Sequence, residues 1–325
     1  MRAAKGGTLA GGRAPAGPVP YDRPVRWNAA LGALAASWGF IAVLVAAVDL
    51  GAEALAFWRL ALAAAALGLG ACVAGRAGLL SPGGRLPALA LLGVVQGVHW
   101  LLFFEAVDHG SVALAVLTFY AAPLVIALVA PLVLPERLGT TVLGACVAGA
   151  VGIAAIALDT GGEGGAPSAV AVAAGLGSAA SYAALVILAK RLLASAVPPL
   201  TVAFWDCLVG AIAVAPVLLF ADRIVPQGAG EWAVVLALGV VFTGVSTLLY
   251  ATLLRHVTAQ AAGVLTFLEP VAGVLLAWAL VDQRPGALTL AGGALVLAAG
   301  IVVVVLEPAE TRVADAPAGV GSGIE

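Results

Sequence analysis

Long apolar runs dominate the chain, and short polar segments separate them. Each run has about 20 residues, the length that a helix needs to cross the hydrocarbon core of a bilayer. The runs are continuous rather than alternating, which excludes the strands of an outer-membrane barrel. The pattern predicts an all-α polytopic membrane protein with ten transmembrane helices, at residues 29–48, 54–74, 88–107, 111–134, 140–158, 168–189, 200–220, 232–254, 259–281 and 287–306.

Composition supports this class of protein. The chain is 63% hydrophobic and 10% charged, with a mean hydropathy of +1.13, whereas soluble domains carry about 25% charged residues. Residues 1–28 and 307–325 are polar and rich in Gly and Pro, and we expect disordered cytoplasmic tails there. The polar residues 159–167 are expected to form an external linker.

The basic residues predict the orientation of the helices. With the N-terminus in the cytoplasm, only Arg223 and Arg284 of the 15 lysines and arginines fall outside, and Arg59 lies within a span. The other twelve fall on the cytoplasmic side, as the positive-inside rule requires. We therefore expect a multi-pass protein of the plasma (inner) membrane with both termini in the cytoplasm.

Several segments occur twice at a nearly constant spacing. "AFWR" at 56–59 returns as "AFWD" at 203–206, an offset of 147. "LGVVQGVHWLL" at 92–102 resembles "LGVVFTGVSTLL" at 238–249. Matches at nearly one offset indicate an internal duplication.

The duplication divides the ten helices into two repeats of five, at residues 29–158 and 168–306. Because five is odd, the second repeat enters the membrane in the opposite sense to the first. Inverted repeats support alternating access in secondary transporters, with the substrate bound near the midplane between the halves. The sequence therefore favours a secondary transporter.

Other motifs resemble the drug/metabolite transporter (DMT) superfamily, specifically its EamA-type ten-helix transporters. The matching residues are "SWG" at 37–39, Arg59, "APLVIALVAPLVLPERL" at 122–138 and "LEPVAGVLLAWAL" at 268–280. The resemblance covers about residues 29–306. It implies transport of a small organic molecule, such as an amino acid, sugar, nucleotide sugar or drug.

One position departs from the family pattern. The first repeat has Glu136 thirteen residues after Pro123, whereas the second has Gln283 thirteen residues after Pro270, preceded by Asp282. The resemblance implies a structural ion pair near such a glutamate, so the second copy of the loop is expected to lack it.

Ionisable residues inside the spans are candidates for function, because inserting each costs about 2.5–3.5 kcal/mol. Arg59 is expected to pair with Asp108 or Glu105 near the outer face, and Asp206 with Arg255 near the inner face. Binding of substrate by Arg59 or Asp206 is the alternative. Glu105, near the end of its helix, is expected either to reach water or to accept from Arg59.

Glu269 differs because it lies near the middle of its span, directly before Pro270, where a kink is expected. It is either a binding group for a substrate amine or coupling proton, or a carboxyl that packs helices together. Gln96 and His99 share a helix face, and they predict a cavity wall unless the histidine only packs. The full set of candidate substrate-binding residues is Glu269, Gln96, His99, Trp100, Trp38, Tyr120, Tyr182, Tyr250 and Thr266.

The fifth and tenth helices carry many small residues and are predicted to be scaffold, with a homodimer surface as one expected use. Expected partners are therefore a small-molecule substrate, the lipid bilayer and a second copy of the chain. The sequence has no nucleotide-binding or nucleophile-elbow motif and no basic patch, so we expect no cofactor, no nucleic acid and no enzyme activity. A lipid-processing enzyme and a receptor or assembly factor remain the alternatives to a transporter, which we predict to be an exporter of amino acids or similar solutes.

Overall fold

The prediction of ten spanning helices is confirmed. The structure is a computed structural model that describes residues 22–110, 112–159, 168–281 and 286–306, and ten helices in these ranges are long and apolar enough to cross a membrane. They are α1 (Asp22–Ser37 and Gly39–Val45), α2 (Ala52–Val73), α3 (Leu86–Asp108), α4 (Val112–Phe119 and Ala122–Val133), α5 (Thr140–Asp159), α6 (Ala169–Ala194), α7 (Pro199–Val214), α8 (Gly228–Leu254), α9 (Ala259–Leu265 and Leu268–Val281) and α10 (Ala287–Leu306).

The first helix begins earlier than predicted. Residues 22–28, which we expected in a disordered tail, are helical. They are anchored because Trp27 stacks on His256 at 4.1 Å between ring centroids, and the buried Asn28 donates to the Val303 carbonyl. The remaining predicted tail residues, linker residues 160–167 and the Asp282–Gln283 pair lie outside the described residues.

Two helices break at equivalent positions of the two repeats. α4 is interrupted at Tyr120 and Ala121, and α9 at Thr266 and Phe267. Each break precedes a proline that lies in the first turn of the next segment. A proline ring clashes with the carbonyl four residues earlier, so the break predicted at Pro270 lies three to four residues before it.

A one-residue insertion explains an irregularity in α8. The repeat offset is 146 from Leu92 to Leu238 but 147 from Gly97 to Gly244. The structure accommodates the additional residue in a π-helical stretch at Ala237–Val245. Such bulges absorb one extra residue while the helix continues, and they are frequent at functional sites.

The helices pack according to the two-fold relation between the repeats. α3 packs against α7, and its counterpart α8 packs against α2. α4 packs against α6, and its counterpart α9 packs against α1. The same relation holds for two side chains: Trp58 donates to the Ile224 carbonyl at 2.7 Å, and Trp205 donates to the Leu80 carbonyl at 2.9 Å. Each repeated tryptophan therefore attaches its own half to a loop of the other half.

α5 and α10 form a close pair at the side of the molecule. A methyl group added to Gly152 would lie 2.6 Å from the Gly292 carbonyl oxygen, so these backbones approach as only glycine permits. The glycines therefore serve a contact within one chain. The homodimer stays a prediction.

Candidate functional site

A cavity of about 500 Å³ lies between the two halves. Its wall comes from α1, α2, α3 and α4 of the first half and α6, α7, α8 and α9 of the second. Among the described residues, α5 and α10 supply none of the lining, consistent with their scaffold role. The volume falls within the range of about 300–1,000 Å³ that is typical of small-molecule sites.

The structure brings together on this wall every side chain that the sequence predicted as substrate-binding. Their role in binding stays a prediction, but their placement in one cavity is established. The lining contains Trp38, Gln96, His99, Trp100, Tyr120, Tyr182, Tyr250, Thr266 and Glu269.

Arg59 points into this cavity. Its Nε donates to the Thr243 hydroxyl at 3.2 Å, and its guanidinium carbon lies 5.1 Å from the centroid of a Trp100 ring. It also interacts electrostatically with Glu269 across the cavity. The arginine is thus held by a hydroxyl, an aromatic face and a carboxylate, and its charge lies on the cavity wall.

The predicted pairing of Arg59 with Asp108 or Glu105 is not formed. Both acids are exposed near the end of α3, and Glu105 instead lies 3.3 Å from the Nδ1 of His109. Because α2 begins at Ala52, Arg59 lies about two helical turns inside the helix rather than at its rim. That depth places it beside Trp100, one turn or more below the acids.

Asp206 also lines the cavity, and its predicted pairing with Arg255 is likewise not formed. Arg255 is exposed at the end of α8, whereas Asp206 is only 6% exposed. Asp206 lies two turns inside α7, which begins at Pro199. Arg59 and Asp206 therefore both line the cavity instead of forming the predicted ion pairs.

His99 and Trp38 occupy related places where the first helix of one half meets the third helix of the other. The Nδ1 atom of His99 on α3 lies 2.9 Å from the Ser178 hydroxyl oxygen on α6. The His99 ring centroid lies 5.5 Å from the Tyr182 ring centroid. Trp38 on α1 donates to the Ser246 hydroxyl on α8. His99 therefore both packs between helices and lines the cavity.

The structure adds two polar residues to those predicted from the sequence, Thr243 in the cavity wall and Lys190 outside it. Thr243 holds Arg59, and its signal was present, because it lies 147 residues after Gln96. Lys190 on α6 donates to the carbonyls of Leu254 at 2.8 Å and Val257 at 2.5 Å. The lysine thereby fixes the turn between α8 and α9, and its sequence signal was only a basic residue at a helix end.

The start of α9 is held from the first half of the chain. Glu136, after α4, accepts from the Ala259 backbone N–H at 2.7 Å and from the Gln260 side-chain amide at 3.4 Å. A carboxylate at a helix N-terminus satisfies free N–H groups and complements the helix dipole. We call this arrangement the α9 clamp.

Two inverted five-helix halves around a central cavity are an architecture that supports solute transport, and the sequence comparisons identify a family of transporters. The EamA-like transporter family matches residues 26–158 and 169–306, one match for each half. The chain belongs to this family, and it is a multi-pass membrane protein.

Two relatives of this chain are named as transporters, and a solved structure has the same fold. The chain is 26% identical over 201 residues to an uncharacterized transporter of Archaeoglobus fulgidus, covering 62% of this chain and 70% of the relative. It is 24% identical over 193 residues to the uncharacterized transporter YxxF of Bacillus subtilis, covering 58% and 60%. A crystal structure with 20% identity superposes with a TM-score of 0.74 over 86% of this chain and 96% of the other.

Proposed function

We propose that this protein is a secondary transporter that moves a small amino-acid-like metabolite across the plasma membrane by alternating access. The observation that carries the proposal is the cavity of about 500 Å³ between the halves, with charges of both signs on its wall. Ionisable groups at such depth are expensive in lipid and mark the path of a solute or ion.

The opposite charges of Arg59 and Glu269 support an amino-acid-like solute. A guanidinium offers a planar pair of donors to a carboxylate, and a carboxylate accepts from an ammonium group. Because these two side chains interact with each other, a zwitterion can insert between them without leaving either charge unpaired. The aromatic residues around them would cover the apolar part of the solute.

The orientation and the direction of transport are separate proposals. The distribution of basic residues supports cytoplasmic termini, with the α9 clamp at the cytoplasmic end of the helices, and we propose export as the direction. Tags at each terminus, tested for protease accessibility in intact cells, check the orientation. A tag cleaved from outside would contradict it.

Flux in proteoliposomes tests the proposal. Purified protein should carry radiolabelled amino acids faster than protein-free vesicles, with and without an imposed proton gradient. Arg59→Gln and Glu269→Gln should each lower the flux at least tenfold, because each leaves one charge of the zwitterion unpaired. Asp108→Asn, at an exposed position outside the cavity, is the matched control and should retain flux. Flux equal to that of empty vesicles for every solute would refute transport.

A further inference from the structure

A second polar region of the cavity wall contains buried polar atoms without a hydrogen-bond partner among the described residues, and the Tyr250 hydroxyl is one of them. Asp206 Oδ1 and Gln96 Oε1 are buried, and neither has a hydrogen-bond partner in the described part of the chain. Only 6% of Asp206 is exposed, and the Asp206 and Gln96 side chains both line the cavity. Buried acceptors are almost always paired in folded proteins, so this pair of orphans requires an explanation.

The two acceptors come from helices that pack against each other. Gln96 on α3 packs against Gly210 on α7, where an added methyl group would lie 3.2 Å from the Gln96 Cγ. Gly210 is one helical turn after Asp206, so the glutamine and the aspartate share the α3–α7 contact. We call Asp206 and Gln96 the acceptor pair.

The charge of Asp206 is also not balanced by a neighbouring base. Arg59 interacts with Glu269, and the ion pairs among the described residues do not include Asp206. The cavity wall therefore carries one more acid than base among Arg59, Asp206 and Glu269. An isolated carboxylate in a low-dielectric interior is costly until a cation or donor joins it.

The surroundings of the acceptor pair suit a positive charge. Tyr182 lies close enough to interact with both Asp206 and Tyr250, and the Trp38 and Tyr250 rings meet at 5.8 Å between centroids. Aromatic faces attract cations, and more strongly when water is excluded. The site thus combines a carboxylate, an amide oxygen and aromatic rings, which is a combination that binds charged nitrogen.

We propose that the acceptor pair is a subsite for a cationic nitrogen group, an ammonium or guanidinium, on the side chain of the transported solute. The inference rests on the proposed function and narrows it, because Arg59 and Glu269 are assigned to the α-carboxylate and α-ammonium. The solute then carries a second positive charge, as in a dibasic amino acid.

Binding of a matched pair of amino acids tests the subsite. L-lysine and L-norleucine share the same six-carbon chain, and norleucine lacks only the terminal ammonium group of lysine. Apparent Kd values come from thermal-melting titrations of the full chain followed by tryptophan fluorescence. We expect wild type to bind lysine at least tenfold more tightly than norleucine, as a charge-assisted hydrogen bond in a buried site requires.

The variants separate the subsite from the rest of the cavity. Asp206→Asn should reduce the lysine-to-norleucine preference to about one, whereas Asp206→Glu should retain part of it and Asp108→Asn all of it. If Asp206→Asn keeps the full preference, or if wild type binds norleucine as tightly as lysine or binds neither, the subsite is refuted. If the subsite is refuted but the protein still carries norleucine or another neutral amino acid into proteoliposomes, the proposed transport function is retained.

Discussion

The α9 clamp gives a stability prediction that can be worked from the structure. Glu136 is 8% exposed, and the N–H that it accepts at 2.7 Å belongs to the fully buried Ala259. Replacing Glu136 with alanine leaves that N–H unpaired, which costs about 1–3 kcal/mol. It also removes a negative charge from the first turn of a helix, which is worth about 0.3–1 kcal/mol at exposed sites and up to about 2 kcal/mol when partly buried.

The second contact of the clamp adds little to this sum. The Gln260 amide donates to Glu136 at 3.4 Å but also to the Arg137 carbonyl at 3.0 Å, so it keeps a partner. We therefore expect Glu136→Ala to lower the free energy of unfolding by about 2–4 kcal/mol. Glu136→Gln keeps an oxygen acceptor for the backbone N–H and should cost about 1 kcal/mol.

Unfolding by SDS in mixed micelles, followed by tryptophan fluorescence, measures these differences. Glu105→Ala is the control, because Glu105 and His109 are half exposed and such pairs contribute about 0–1 kcal/mol. Equal stability of Glu136→Ala and wild type would refute the role of the clamp. A loss from Glu136→Gln as large as that from alanine would show that the charge, and not the hydrogen bond, carries the effect.

Two further predictions concern packing between the halves. Gly152→Ala should destabilise the protein by about 1–3 kcal/mol through overpacking, because the new methyl group would lie 2.6 Å from the Gly292 backbone. Gly144→Ala is the control, since an added methyl group there meets open space and should not destabilise the protein. Equal melting temperatures of the two variants would contradict the close α5–α10 contact. Trp58→Phe and Trp205→Phe each remove one hydrogen bond to a loop of the other half. Each should lower the free energy of unfolding by about 1 kcal/mol in the same SDS titration. A loss of stability in only one of the two variants would contradict the equivalence of the two contacts.

The fold was predictable because its signals are local and repeated. Apolar runs of spanning length predict helices whatever their neighbours are, and the odd number of helices in each repeat dictates the inversion. The sequence indicates that α4 and α9 are interrupted, but not at which residues. The sequence shows the proline, but the ring acts on the carbonyl one turn earlier, so the irregular residues precede it.

The partners of the intramembrane charges were not predictable for a physical reason. A helix in lipid is apolar on all sides, so it lacks the polar stripe that shows which face is buried. Depth along the axis can be counted from the helix start, but rotation about the axis cannot. Arg59 was assigned to the acids at the end of α3, whereas its depth of about two helical turns and the rotation of α2 together place it beside Trp100, where it interacts with Glu269.

The repeat relation separates what the two halves share from what they do not. Trp58 and Trp205 make equivalent contacts with the opposite half, whereas the next residue in each copy differs in sign, Arg59 in one and Asp206 in the other. In the proposed alternating-access cycle, such shared contacts would let the two halves exchange roles at little cost. Like charges at both positions would repel each other inside a cavity of low dielectric. Opposite charges instead give the cavity two distinct poles, so a solute with charged groups of both signs would bind in one orientation only.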